Sequence, residues 1–314
     1  MLFATLAAAL ALHTHAPHFI HEFTLPLGVY PSSIVAGPDG ALWFSTYPYF
    51  SNHAPKELGI GRITTTGATR YFHINHGTYD LTSGPDGRIW FTSPYHRPYI
   101  VGALAADGTV SAWPVPGGGS PESIISGPDG NLWFTSFYGN PDILAISTAG
   151  MIVKQYYANK GFVVRLGRGR DHVWYDMPAR IGRIKTDGDE TGRDIGGPTY
   201  IPELMALGPD GRMWECDGTF IVAVTVDFTV TFYPIPQGVN GTYGLTRGPD
   251  GNMWATDFYE GKLMRITPSG SFTTFDLPTP DMMPSGITVG PDGNIWYTEI
   301  QKQTDVAKIG VLAP

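Results

Sequence analysis

Between Phe19 and Leu312 the chain alternates short apolar runs with Gly-rich polar turns, and the alternation keeps a fixed period. Gly-Pro-Asp-Gly occurs at Gly37, Gly84, Gly127, Gly208, Gly248 and Gly290. Six residues after each first glycine stands a tryptophan: Trp43, Trp90, Trp133, Trp214, Trp254 and Trp296. A degenerate copy, Gly167 to Trp174, fills the one wide gap, so that successive tryptophans lie 47, 43, 41, 40, 40 and 42 residues apart. Self-similarity at this period marks a repeat architecture built from one supersecondary unit.

Each unit reads as four strands. An apolar strand such as Ser33-Ile-Val-Ala precedes the turn, and a Trp-aromatic strand such as Leu132-Trp-Phe-Thr follows it. A third strand resembles Ile60-Gly-Arg-Ile; after a Thr/Asp/Gly turn the fourth ends in Leu-Pro or Ile-Pro, as in Phe272 to Pro278. Pro and Gly at these positions suit tight hairpins. Seven four-stranded units predict an all-β, seven-bladed β-propeller. The last copy stops after its third strand, Ala307 to Leu312, while an orphan strand, Phe19 to Leu25, stands at the other end. That N-terminal strand is expected to complete the seventh blade and close the ring, which removes exposed sheet edges. The turn aspartates Asp39, Asp86, Asp129, Asp210, Asp250 and Asp292 read as turn-formers, and the tryptophans as packing anchors between units.

Composition sharpens this picture. Gly 40 and Pro 27 make up about a fifth of 314 residues, against roughly an eighth in an average chain, which disfavours long helices. A net charge of −8 argues against nucleic acid as a partner. Cys216 is alone, so neither an intramolecular disulfide nor a Cys-based metal cluster can form. Leu2 to Leu12 is an apolar run too short to span a bilayer but long enough for an export signal. Residues 1–16 are therefore expected to be a leader and residues 17–314 a single propeller domain, secreted or periplasmic if the leader acts and cytoplasmic otherwise. No membrane span is expected, and a monomer is the expected state.

In a propeller the inner strand descends from the top face to the turn and the second strand returns, so two positions per unit should reach the top of the central channel. Eleven residues before each tryptophan lie Ser32, Tyr79, Glu122, Val163, Glu203, Tyr243 and Ser285; three after it lie Thr46, Ser93, Ser136, Met177, Asp217, Asp257 and Glu299. Convergent polar groups of this kind predict a small-molecule or peptide ligand in the channel. Tyr95, Tyr138 and Tyr259, in loops after second strands, could stack on that ligand. Glu122, Glu203, Asp217 and Asp257 could hold a divalent cation, Mg²⁺ or Ca²⁺, because hard cations take carboxylate oxygen. His76, in a top-face loop, is a candidate base. No organic cofactor is expected.

Whole units such as Gly290 to Glu299 and Gly59 to Thr64 resemble the repeats of the virginiamycin B lyase (streptogramin lyase) family. The resemblance implies a seven-bladed propeller that linearises a cyclic depsipeptide by Mg²⁺-dependent elimination at its ester. It also implies a histidine at the channel end of the first strand in each of the last two blades. Those positions are Tyr243 and Ser285 here, whereas the acidic residue after the last tryptophan is kept as Glu299. Glu299, Tyr243 and His76 are thus the candidate catalytic residues; Tyr79, Glu122, Glu203, Ser285, Tyr95, Tyr138 and Tyr259 are the candidate ligand contacts. The alternatives are a metal-dependent lactonase or esterase of gluconolactonase-like type, and a non-catalytic propeller that binds a ligand or protein.

Overall fold

Every Gly-Pro-Asp-Gly turn is held to its tryptophan by the same contact. The indole Nε1 of Trp43, Trp133 and Trp296 donates to Asp39, Asp129 and Asp292 at 2.9, 2.9 and 3.0 Å. Trp90, Trp214 and Trp254 donate to Asp86, Asp210 and Asp250 at 3.1 Å. The pyrrole edge of the indole, Cδ1 and Nε1, stands against the first glycine of the turn, where a Cβ would overlap it; that is why Gly37, Gly127 and Gly290 are invariant within the repeat. Burial alone would push the Asp39 carboxyl up, but the Trp43 indole and the Arg62 guanidinium outweigh it and hold it below the usual carboxylate value. The turn aspartates are thus turn-formers, as expected, and indole acceptors as well.

The structure is a computed structural model that describes residues 16–46, 59–75, 77–157, 163–178, 180–194, 204–216, 220–301 and 304–314. Among these, 28 strands form seven antiparallel four-stranded sheets. Six blades follow chain order: residues 31–73, 81–114, 124–156, 165–194, 205–234 and 242–276. The seventh joins Met282–Val289, Ile295–Gln301 and Ala307–Ala313 to the N-terminal strand His18–Thr24, which pairs antiparallel with Ala307–Ala313. Closure is chemical as well as topological. In most blades an aromatic on the outer strand stacks on the tryptophan, as Phe72 does on Trp43 at 5.3 Å and Tyr233 on Trp214 at 5.4 Å. Phe23 of the N-terminal strand fills that role for Trp296, at 5.8 Å with rings 6° from parallel. One residue earlier, Glu22 bonds Lys308 at 2.6 Å and accepts from the backbone N–H of Thr279, in the connection from blade 6 to blade 7, at 3.2 Å.

The glycine of the Ile-Gly-Arg-Ile strand has a packing reason. In four blades the aromatic that follows the tryptophan lies across the neighbouring third strand, so that a Cβ at Gly61, Gly102, Gly182 or Gly310 would stand inside the ring of Phe44, Phe91, Tyr175 or Tyr297. Cys216 is buried with no exposed surface, as core. No helix among the described residues is long and apolar enough to cross a membrane.

Candidate functional site

The top ends of the inner strands are tied together by a ring of hydroxyls, each two residues after a tryptophan. Ser45, Thr92, Thr256 and Thr298 accept the backbone N–H of Ser33, Asp80, Gly244 and Gly286 in their own blades, at 3.0, 3.2, 2.7 and 2.9 Å. Each then donates to a carbonyl of the following blade: Tyr79 at 3.0 Å, Glu122 at 2.9 Å, Ser285 at 2.8 Å and Ser32 at 2.7 Å. The carbonyls belong to the residues expected to line the channel mouth, so these bonds set where Ser32, Tyr79, Glu122 and Ser285 stand.

Blade 4 departs from the count. Its turn is one residue shorter: Gly169 N–H bonds the carbonyl of His172, three residues on, where Gly37 bonds Ala41, four on. Val164, whose N–H bonds Asp176 as Tyr79 bonds Thr92, is therefore the equivalent of Tyr79, and Val163 lies one step outside the ring. The same slip brings Arg165 level with Ser33, Asp80, Ser123, Leu204, Gly244 and Gly286, one residue deeper in the channel. Sequence counting passed over this deeper ring. Its signal was the presence of an aspartate and an arginine where other copies carry Ser, Leu or Gly.

Here the charge converges. Arg165 is 8% exposed, and its guanidinium donates to the Tyr79 hydroxyl at 3.1 Å and stands 4.0 Å from Glu122 Oε2. Asp80 accepts from Ser33 Oγ at 3.0 Å and from the N–H of Ile124 at 3.0 Å. Burial pushes the Asp80 carboxyl up, against the pull of the Ile124 N–H and of Arg165. Tyr79 meets Tyr95 edge-on at 6.4 Å.

The other predicted positions separate. Thr46, Ser93, Ser136, Met177, Asp257 and Glu299 are all buried. Asp257 accepts the N–H of Asn240 at 3.2 Å and of Glu260 at 3.4 Å, so it braces top-face loops; desolvation raises its pKa to about 6. Glu299 has no exposed surface and neither carboxylate oxygen has a hydrogen-bond donor. Desolvation first, and then the nearby charge of Glu22, raises it to about 8. Tyr243 stacks on Phe258 at 4.7 Å, and the Ser285 hydroxyl bonds that of Thr298 at 2.9 Å. Tyr138 and Tyr259 are 82% and 52% exposed, each set edge-on against the preceding Phe. His76, Glu203 and Asp217 lie outside the described residues.

Among the described residues no group of three or more His, Cys, Asp or Glu side chains is placed to hold a metal ion. The described members of the expected set do not suit a hard cation: Glu122 faces a guanidinium, and the Asp257 oxygens already accept backbone N–H groups.

Fold and site together define a closed seven-bladed propeller whose inner strands bring Tyr79, Glu122 and Arg165 from three blades together. The chain belongs to the virginiamycin B lyase family, whose family model matches residues 18–176 and 159–312. A virginiamycin B lyase from Saccharopolyspora erythraea is 40% identical over 45 residues, a match spanning 14% of this chain and only 15% of that relative. The crystal structure of virginiamycin B lyase from Staphylococcus aureus superimposes with a TM-score of 0.82 at 23% identity, over 95% of this chain and 100% of that one. A streptogramin B lyase structure gives 0.81 at 24% identity, over 95% and 97%. A catalytically inactive form of the S. aureus enzyme with quinupristin gives 0.82 at 25% identity, over 95% and 100%.

Proposed function

We propose that this chain is a lyase-like propeller that opens a cyclic ester or peptide ligand at the top of its channel. The observation that carries the reading is the family match running through all seven blades, from residue 18 to residue 312. Elimination at an ester requires a base to take the proton next to the bond that breaks. The C–H pair then forms a C=C bond, and the C–O pair leaves with the carboxylate, so no water is consumed.

The two family histidine positions do not supply that base here, since the Ser285 hydroxyl is spent on Thr298 and the Tyr243 ring is stacked. Glu299, the acidic residue that the resemblance keeps after the last tryptophan, is the base in this reading. Buried, it holds its proton, with burial raising it to about 8; it can take a proton from a ligand only once its surroundings open to water and its pKa falls back toward the ordinary carboxylate range. Dependence on Mg²⁺ or Ca²⁺, implied by the family resemblance, would have to rest on residues other than Glu122 and Asp257, and calorimetric titration of the protein with each cation tests it. Export and a monomeric state are likewise proposed, and are checked by cell fractionation and light scattering.

The test is mass spectrometry of quinupristin after incubation with the protein. A linear product of unchanged mass supports elimination, and its loss in Glu299→Gln supports the assigned base. A product heavier by one water indicates the lactonase or esterase reading instead. Binding without any product indicates a non-catalytic propeller.

A further inference from the structure

Arg165 belongs to blade 4, Tyr79 and Asp80 to blade 2, and Glu122 to blade 3. A side chain from blade 4 that bonds the Tyr79 hydroxyl at 3.1 Å must pass in front of the blade 3 inner strand, on the channel side. The guanidinium also lies over the Tyr79 ring, 5.7 Å from its centroid. Arg165 thus runs along the channel side of blade 3, with the Glu122 carboxylate 4.0 Å from its guanidinium, and Asp80, fixed by Ser33, Leu81 and Ile124, lies within the field of that guanidinium.

Gly244 and Gly286 occupy the equivalent positions in blades 6 and 7, where a Cβ would strike the carbonyl oxygen of the next blade, Ser285 or Ser32, so there the position is given over to close packing of adjacent inner strands. The side formed by blades 2 to 4 instead carries a fork of N–H donors, a phenol and a carboxylate. The side chains of Arg165 and Glu122 are 10% and 26% exposed, so the carboxylate is the more open end of the pair.

We propose that Arg165, Tyr79 and Glu122 form a binding subsite for one extended backbone residue of a cyclic peptide, a deeper statement of the reading above and resting on it. The carbonyl oxygen of that residue accepts from the Arg165 guanidinium and the Tyr79 hydroxyl, while the same residue's N–H, which points to the same side in extended backbone, donates to Glu122. A fork of donors beside an acceptor carboxylate meets both groups at once, which a lone charge does not. The ligand enters from the top face, past Tyr95 and Tyr138. Asp80 is a positioning residue that acts through Arg165.

Calorimetric titration with two probes, quinupristin and a cyclic hexapeptide lacking an ester, tests this on the full chain. The variants are Tyr79→Phe, Arg165→Lys and the charge-balanced double variant Arg165→Met with Asp80→Asn, each with a melting curve. The expected result is affinity lowered about threefold to tenfold in Tyr79→Phe and more than 30-fold in the double variant. Arg165→Lys should fall between, because it keeps the charge and loses the fork. Unchanged affinity in a folded double variant overturns the subsite and leaves the lyase reading standing. Binding of the hexapeptide alone, lost in the same variants, upholds the subsite and overturns the depsipeptide reading. Binding of neither probe overturns both. Should the double variant fail to fold, Tyr79→Phe decides: a loss below twofold overturns the subsite.

Discussion

Replacing Glu299 by glutamine should stabilise the protein at alkaline pH and leave it unchanged in acid. The native carboxyl lies at about 8, against an ordinary value of 4.5, mainly because burial penalises its charged form and secondarily because Glu22 stands nearby. A group that holds its proton more tightly when folded contributes stability that is fully present below pH 4.5 and is lost as pH climbs to about 8. At about 1.36 kcal/mol for each pH unit of displacement, the whole loss has an upper bound of about 5 kcal/mol. Lys308, which faces Glu299 across the strand pair and is bonded to Glu22, offsets part of it. Glutamine keeps the shape and carries no charge at any pH, so Glu299→Gln should match the wild type at pH 5. At pH 9 it should exceed the wild type by several kcal/mol. Urea unfolding of both proteins from pH 5 to pH 9, in EDTA, measures the difference directly. A gap that stays constant over that range would refute the assignment of a protonated, donorless carboxyl in the blade 7 interior.

Phe23→Ala should cost about 3 to 5 kcal/mol, because it removes the ring stacked on Trp296 and unzips the closing strand; thermal unfolding with tryptophan fluorescence reads it. Deleting residues 1–16 should leave the melting temperature near that of the intact chain, whereas deletion through Pro26 should lower it severely, and equal values would rule out closure by the N-terminal strand. Asp129→Ala should cost about 1 to 3 kcal/mol by orphaning the Trp133 indole and Lys154, with quinupristin binding unaffected in the calorimeter. Gly310→Ala should destabilise by about 1 to 3 kcal/mol or more, since the added methyl meets the Tyr297 ring, and a melt that matches the wild type would contradict that packing.

What the sequence determined is whatever each blade makes within itself. An aspartate and a tryptophan four residues apart bond across one turn, and a glycine is needed beneath the indole, so both recur wherever the unit recurs. Phe23 was legible as a closing-strand residue because Phe19 to Leu25 had no partner in its own neighbourhood of the chain. The equivalence of Ser32, Tyr79, Glu122, Tyr243 and Ser285 was legible from counting, and all five hold half-buried places at the head of their inner strands. Counting failed at Val163 because a single residue missing from the turn at Gly169 slips the inner strand by one, and in a strand one residue changes which way a side chain points. It also set Asp257 and Glu299 at the open mouth, where the structure packs both inside. Only the closed ring decided the rest. Arg165 reaches Tyr79 across 86 residues of sequence, and it does so because seven sheets arranged about one axis bring inner strands from separate blades within a side chain's length of each other. Contacts of that kind depend on the radius and closure of the ring, which no local pattern along the chain encodes.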